Sequence, residues 1–319
     1  MFIQGTFLNL INTAKKPTKA AKFLEEIDKV IPWYRINKVL KKWKDSDLGR
    51  KGYRPETMFR MSLLKDFYGL SDYDTEEQIN DRLSFRKFMQ LGVDETSPDE
   101  TSLCKFRAWL TQNNKQEELF KIVNRYLNDQ GCFVKKGALI DATIIEAPIN
   151  KSNGKKEWVD KDASSTKKGS TWYRGYKAHM GLDFGSNLIA DIVTTTAKVA
   201  DTVIFDLLLP AYAKAVLADK GYYSQERKRE LRRSGIFCGI LDKAARGRKL
   251  SNSQKKRNKK LSSVRAYVEH PFNAIKNWFK FRKTRYVGII KNSAQIFMLA
   301  TLYNLHRVRK ILEPEPYFA

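Results

Sequence analysis

The sequence predicts an α/β domain, a mixed sheet flanked by helices, preceded by an all-α N-terminal domain. Apolar residues recur at helical spacing through about residue 132. After Gly131 the pattern changes to short β-branched runs alternating with helical stretches. Their order is strand, strand, strand, helix, strand, helix, strand, helix. That order places antiparallel strands first and parallel strands later.

In the N-terminal domain, residues 1–132, Lys19–Val30, Pro55–Tyr68, Thr75–Met89 and Glu117–Asn128 each show a helical apolar pattern. Pro55 suits a helix start, as does Thr75 followed by acids. Short helices joined by tight turns such as GLSDYD resemble a helix-turn-helix module. A plain bundle used for contacts between subunits fits the same pattern, and the two roles can coexist.

The second domain, 133–310, opens with GALIDATIIE (137–146) as a strand. YKAHMGLDF (176–184) and LIADIVTTT (188–196) follow as a hairpin turned by GSN. DTVIFDLLLPAYAK (201–214) is predicted as a helix capped by Asp201. AVLADKGYY (215–223) is a short apolar strand ending at Asp219, and SQERKRELRRSG (224–235) is a helix between Ser224 and Gly235. IFCGILDK (236–243) is the last strand, VRAYVEHPFNAIKNWF (264–279) is helical, and 311–319 is a tail. Two polar, basic stretches, 151–171 and 245–260, are predicted to be mobile loops. Such loops are solvated linkers, or phosphate clamps that order on DNA. Trp158, Trp172 and Tyr173 could stack on an unpaired base or edge the core.

The composition narrows the partners. A hydrophobic content of 42% over 319 residues suffices for a core. No apolar run reaches the roughly 18 residues of a membrane span, and the N-terminus has no secretion-signal pattern. A cytoplasmic protein is expected. Cys104, Cys132 and Cys238 are far apart and odd in number, which suits reduced thiols better than a disulfide frame or a zinc site. The net charge of +25 points to a polyanion, because each phosphate neutralised releases counterions.

Three acids carry the chemistry. Asp141 interrupts the apolar run LIDATII, where an unpartnered carboxylate would be costly. Asp219 ends a short strand, at the edge where α/β sheets keep their sites. Glu269 lies on a stripe with Arg265 and Lys276, roughly 70° round from the apolar stripe of Val268, Phe272, Ile275 and Phe279. That is the rim of a fold, where side chains reach a cleft. Pro271 requires the helix either to begin near Glu269 or to kink there. Three hard oxygen donors can hold two Mg²⁺ ions about 3.5–4 Å apart, the arrangement of in-line phosphoryl transfer. Taken singly, each acid also fits a cap or an ion pair.

IDATIIEAP, TKKGSTWYRGYKAH, ADKGYYS and the spacing of Arg265, Glu269 and Lys276 resemble the bacterial insertion-sequence DDE transposases of the IS-five group. GRKGYRPETMFRMSLLKDFYGLSDYD and NDRLSFRKFMQLG resemble that family's helical lead-in domain. The resemblance implies an RNase-H-like catalytic domain with Asp141, Asp219 and Glu269 as catalytic and metal-binding triad. Two Mg²⁺ ions, with Mn²⁺ as a substitute, are implied as cofactors. Arg265 and Lys276 are implied to hold DNA near the site. Lys177 and Lys220 lie within the matching motifs and are expected to contact DNA, as are Trp158 and Trp172. The implied reaction cuts the element's terminal inverted repeats and joins the 3′-hydroxyl ends to target DNA. The implied partners are double-stranded DNA and a second copy of the chain on it, at the bacterial nucleoid. A nuclease that cuts without joining and a non-catalytic DNA-binding remnant are the alternatives. The sequence departs from the family pattern at Ser262, where relatives have tyrosine. The 220–268 stretch also has no room for the large β insertion of some relatives.

Overall fold

The computed structural model describes residues 16–43, 52–92, 94–148, 150–152, 155–157, 160–244, 247 and 249–312. It divides into two compact units. One runs to Tyr126 and takes in the residues from Asn304 onward; the other is Leu127–Tyr303.

The first unit is helical: α1 (Lys19–Val30), α2 (Trp33–Leu40), α3 (Pro55–Tyr68), α4 (Asp72–Asp81), α5 (Leu83–Met89), α6 (Glu100–Gln112) and α7 (Lys115–Asp129). Thr75–Met89, expected as one helix, is two. Ser71 starts the first through a reciprocal capping box with Asp74, and the chain is extended at Arg82 between them. Helices α2 and α6 are not among the elements expected, although Ile36, Val39 and Leu40, and Leu103, Phe106 and Leu110, are the buried residues on their inner faces. Helix α3 is buried all round from Thr57 to Asp66 and is the centre of the unit. Gly69 closes it in the left-handed conformation that a residue without Cβ adopts freely. Arg60, 1% exposed, is tolerated inside because it is fully engaged. It pairs with Asp28 at 2.7 Å and Glu56 at 2.9 Å and lies over the Trp33 ring at 3.8 Å.

The second unit is built on a mixed sheet of β1 (Ala138–Glu146), β4 (Ser164–Lys168), β5 (Thr171–Asp183), β6 (Ile189–Thr196), β7 (Ala215–Ala218) and β8 (Phe237–Ile240). A separate two-stranded ribbon pairs β2 (Asn150–Ser152) with β3 (Lys155–Glu157). In the main sheet β6 and β4 lie along one side of β5, followed by β1, β7 and β8. β1 is antiparallel to β5, whereas β7 and β8 run parallel to β1. This is the mixed sheet of an RNase-H-like domain, as the sequence predicts. Helices α8 (Asp201–Leu208) and α9 (Gln225–Arg233) cover it. Ile204, Phe205, Leu208 and Leu231 pack on Ala138, Ile140, Val216 and Ile240.

Several boundaries differ from expectation. The 201–214 helix stops at Leu208, because Pro210 cannot continue it. Asp201 does not cap it; Ala200 is the N-cap residue, and the Asp201 carboxylate holds Lys177 instead. The 151–171 stretch is not all loop. Ser164–Lys168 pairs with β5 at the sheet edge, where a polar, lysine-bearing strand is in keeping. Nor is 245–260, since α10 (Asn252–Arg265) begins at a Ser251–Gln254 capping box.

Helix α10 has no buried residue and is held by polar contacts instead. Arg257 donates to Asp242 at 2.8 Å and to the carbonyls of Ile240 and Cys238. Asn258 exchanges two hydrogen bonds with the Asp242 backbone. Burial pushes the Asp242 carboxyl up, but Lys228 and Arg257 together hold it below the usual carboxylate range.

From Arg265 the chain remains helical through a tight turn at Ala266–Val268, then α11 (Glu269–Asn273) and a wide turn at Ala274–Trp278. Pro271 is met by a mixture of the two expected arrangements: the helical path runs on from Arg265, tightens at Ala266–Val268 and re-forms as α11 at Glu269. Glu269 opens α11, and Pro271 lies in its first turn, where no donor is lost. Val268, Phe272, Ile275 and Phe279 are buried, so the expected apolar stripe faces the core. Helix α12 (Ile289–Leu312) ends the described chain. No helix among the described residues is long and apolar enough to cross a membrane.

Candidate active site

The strand register explains why two acids meet. Ile140 of β1 stands beside Ala218 of β7 in a parallel pair. The next residues, Asp141 within β1 and Asp219 just past the carboxyl end of β7, therefore lie side by side where the two strands stop pairing. They open on a cavity of about 700 Å³, which Glu269, Arg265, Lys276 and Lys177 also line. Five sequence-predicted positions thus join Asp141 around one space. Trp172 and Lys220 do not line it. Trp172 is 67% exposed on β5, with the Lys167 ammonium 5.9 Å from its ring centre. Lys220 is exposed in the short turn after Asp219. Trp158 lies outside the described residues.

Arg265 does more than line the wall. Its Nη2 donates to Asp141 Oδ2 at 2.7 Å, and its Nη1 lies 3.7 Å from Asp219 Oδ1. One guanidinium thus bridges the two carboxylates. Burial alone would lower the Arg265 pKa, but Asp141, then Asp219 and Glu269, raise it. Burial pushes the Asp141 carboxyl above its usual range, against the opposing pull of Arg265. The Lys276 pKa is shifted down from its ordinary value by burial and then by Lys168.

Lys177 is also engaged. Its Nζ donates to the Val199 carbonyl at 2.8 Å and to Asp201 Oδ1 at 2.9 Å. Beside it His179 is fully buried, with its pKa lowered to about 4 by burial, so the ring is neutral. The Tyr222 hydroxyl is buried and has no hydrogen-bond partner among the described residues. Burial, then Asp201, Asp141 and Asp219, raise its pKa and keep it protonated.

The cavity is also lined by residues that the sequence reading did not place at the site: Asp201, Lys167, Lys168 and Arg282. Arg282 arrives because the chain after the wide turn pairs with the end of β1. Glu146 donates to the Arg282 carbonyl and accepts from the Thr284 amide. The acids Asp141 and Asp219 thus lie on β1 and just after β7. The facing rim is basic, on β4 and after α11.

Among the described residues no three carboxylate, imidazole or thiol groups are grouped closely enough to hold a metal ion. In kind the donors fit a hard divalent cation. Two carboxylates already share one positive group, and a third faces the same cavity.

Residues 133–305 match a family model described as a transposase DDE domain. Residues 12–109 match a second family model, also described as a transposase domain. One solved structure, a cryo-EM piggyBac transposase synaptic complex with hairpin DNA, is similar at a TM-score of 0.42 and 12% identity. The alignment covers 92% of this chain and 76% of that one, and at this score it carries no argument.

Proposed function

This chain belongs to the transposases with a DDE domain, and we propose that it cuts the ends of an insertion sequence and joins them to target DNA. The motif string supports placing it in the IS-five group. The observation that carries the mechanism is the meeting of Asp141 and Asp219 on one cation, with Glu269 on the same cavity.

Asp141 and Asp219 would hold the divalent ions, with Glu269 completing the set. Bound there, Mg²⁺ or Mn²⁺ supplies Lewis-acid activation of the attacking oxygen and charge for the leaving one. Arg265 balances the acid pair and turns to a DNA phosphate when the acids take up other charge. Lys276, Lys167, Lys168 and Arg282 hold the phosphates on either side of the reacting one. Lys177 positions the floor through Asp201. Trp172 and Trp158 offer faces for an unpaired base. Hydrolysis of the phosphodiester frees a 3′-hydroxyl, which attacks a target phosphodiester in the same site. One such bond is exchanged for another, so joining needs no nucleoside triphosphate. Two ends must be joined together, which calls for a dimer on double-stranded DNA, in the bacterial cytoplasm at the nucleoid. The helical N-terminal domain, 1–132, would read the end and support the dimer, and 133–310 would cut.

The test uses labelled DNA from both flanks of the gene, incubated in Mg²⁺ or in EDTA with an unlabelled target plasmid. Nicks at fixed positions and label transferred to the plasmid, in Mg²⁺ only, are expected. Nicks with no transferred label would make the protein a nuclease; tight binding with neither would make it a remnant.

The Arg265 bridge gives a second prediction. Arg265→Gln leaves Asp141 and Asp219 facing each other, at an expected cost of about 2 kcal/mol in EDTA, discounted for partial exposure. Millimolar Mg²⁺ should recover this, so the variant's Tm should rise with Mg²⁺ more than wild type's. Equal rises in thermal melts would sink the idea that metal and guanidinium share the acids.

A further inference from the structure

Helix α10 has two opposite faces. Arg257, Asn258 and Arg265 lie on one and anchor it to Asp242 and the acid pair. Lys255, Lys256, Lys259 and Lys260 lie on the other, roughly 180° round, and all four are exposed. Among the described residues none of these four ammonium groups has an ion-pair partner. The helix contains no Asp or Glu. Lys255 with Lys259, and Lys256 with Lys260, are like charges four apart, an arrangement that weakens an isolated helix. A face serving only solubility interleaves both signs. Here the capping box and the Arg257 contacts hold an unrelieved row of positive charge in order.

The same helix ends at the residue that touches Asp141. At about 1.5 Å rise per residue, Lys260 lies roughly 7.5 Å and Lys255 roughly 15 Å along the axis from Arg265. With about 3.4 Å per base pair along each strand, the row matches phosphates some 2–4 base pairs from the reacting one.

We propose that this lysine row is a preformed track for the phosphates of a DNA duplex leading away from the active site. The proposal rests on the reading that the cavity cuts DNA. Lysines are point charges without the paired donors that read base edges, so the track binds duplex of any sequence. The duplex is either the transposon end or the target, and the two are separable by experiment.

The test replaces Lys255, Lys256, Lys259 and Lys260 together by Gln in the full chain. Binding to an end duplex and to an unrelated duplex is measured against KCl. The slope of log affinity on log salt should flatten by about 2–4, with binding weaker by about a hundredfold at 0.1 M salt. Phosphates 2–4 base pairs from the cut should lose protection from hydroxyl radicals, and the four-fold Lys→Arg variant should keep both slope and footprint. Lost protection 2–4 base pairs from the cut on the end duplex assigns the track to the transposon end; a flatter slope on both duplexes with that footprint kept assigns it to target. An unchanged slope and footprint, in a variant of wild-type circular dichroism, would overturn the track and leave the catalytic reading standing. Salt-independent binding by wild type would instead overturn that reading, and the track with it.

Discussion

Asp141→Asn and Glu269→Gln should each lose DNA cutting by at least about a thousandfold, close to 4 kcal/mol of transition-state stabilisation, while keeping the fold. The two halves of this expectation have different causes. Asp141 sits within β1 next to buried Leu139 and Ile140, and burial pushes its carboxyl above the usual range. A raised carboxyl pKa means that the fold disfavours the ionised form. That cost is present above the folded pKa and is relieved as pH falls through it. The neutral isostere, whose amide oxygen can still accept the Arg265 hydrogen bond, should therefore melt close to wild type. Glu269 is exposed at the start of α11, so its replacement removes only a favourable first-turn charge, about 0.3–1 kcal/mol. A residue that served only packing or an ion pair would give the opposite result, with stability lost and cutting kept. Denaturation curves beside cutting rates distinguish the two, and residual cutting within tenfold of wild type would remove either acid from the catalytic set.

The sequence made these acids legible because each interrupts an apolar pattern. Asp141 breaks a β-branched run, Asp219 ends one, and Glu269 rides beside a buried stripe. The mixed sheet was legible for the same reason, since its strands are apolar enough to show their period. Elements held by polar contacts were not. Helix α10 buries nothing, so it has no apolar period, and its lysines read as loop. The serine three residues before a glutamine was the one signal available, a capping box at Ser251 and Gln254. Strand β4, SSTKK, is a polar edge that borrows its conformation from β5. Asp201 was mistaken for a cap because an aspartate at a helix start usually is one; its service to Lys177 needs the tertiary structure. Arg265 shows the limit of charge reading. A cation beside a catalytic acid is expected to face phosphate, yet here its guanidinium lies on Asp141 and Asp219. Sequence gives the sign of a charge, and only packing says which opposite charge it meets.

Gly175→Ala should destabilise the catalytic unit by about 3 kcal/mol or more, the upper range for overpacking, and remove cutting with it. Gly175 lies in the YRGYKAH segment of β5, opposite Glu146 of β1. A Cβ there would stand 2.0 Å from the Ile145 carbonyl oxygen and 2.9 Å from the Ala147 nitrogen. Both are backbone atoms, one in β1 and one just past its end, so no side chain can swing away to make room. β1 and β5 would have to part at that point. The displaced end of β1 also holds Arg282 and Thr284 through the Glu146 backbone, so the basic rim of the cavity would move with the acidic wall. Gly169→Ala is the control. Gly169 has a left-handed φ of +63°, but nothing lies within 4 Å of its added methyl, so the cost is only the conformational one, about 1 kcal/mol. Urea denaturation of the two variants should therefore differ by about 2 kcal/mol. Equal midpoints would mean that β1 and β5 yield at Gly175, and that the distance between these backbones does not fix the site.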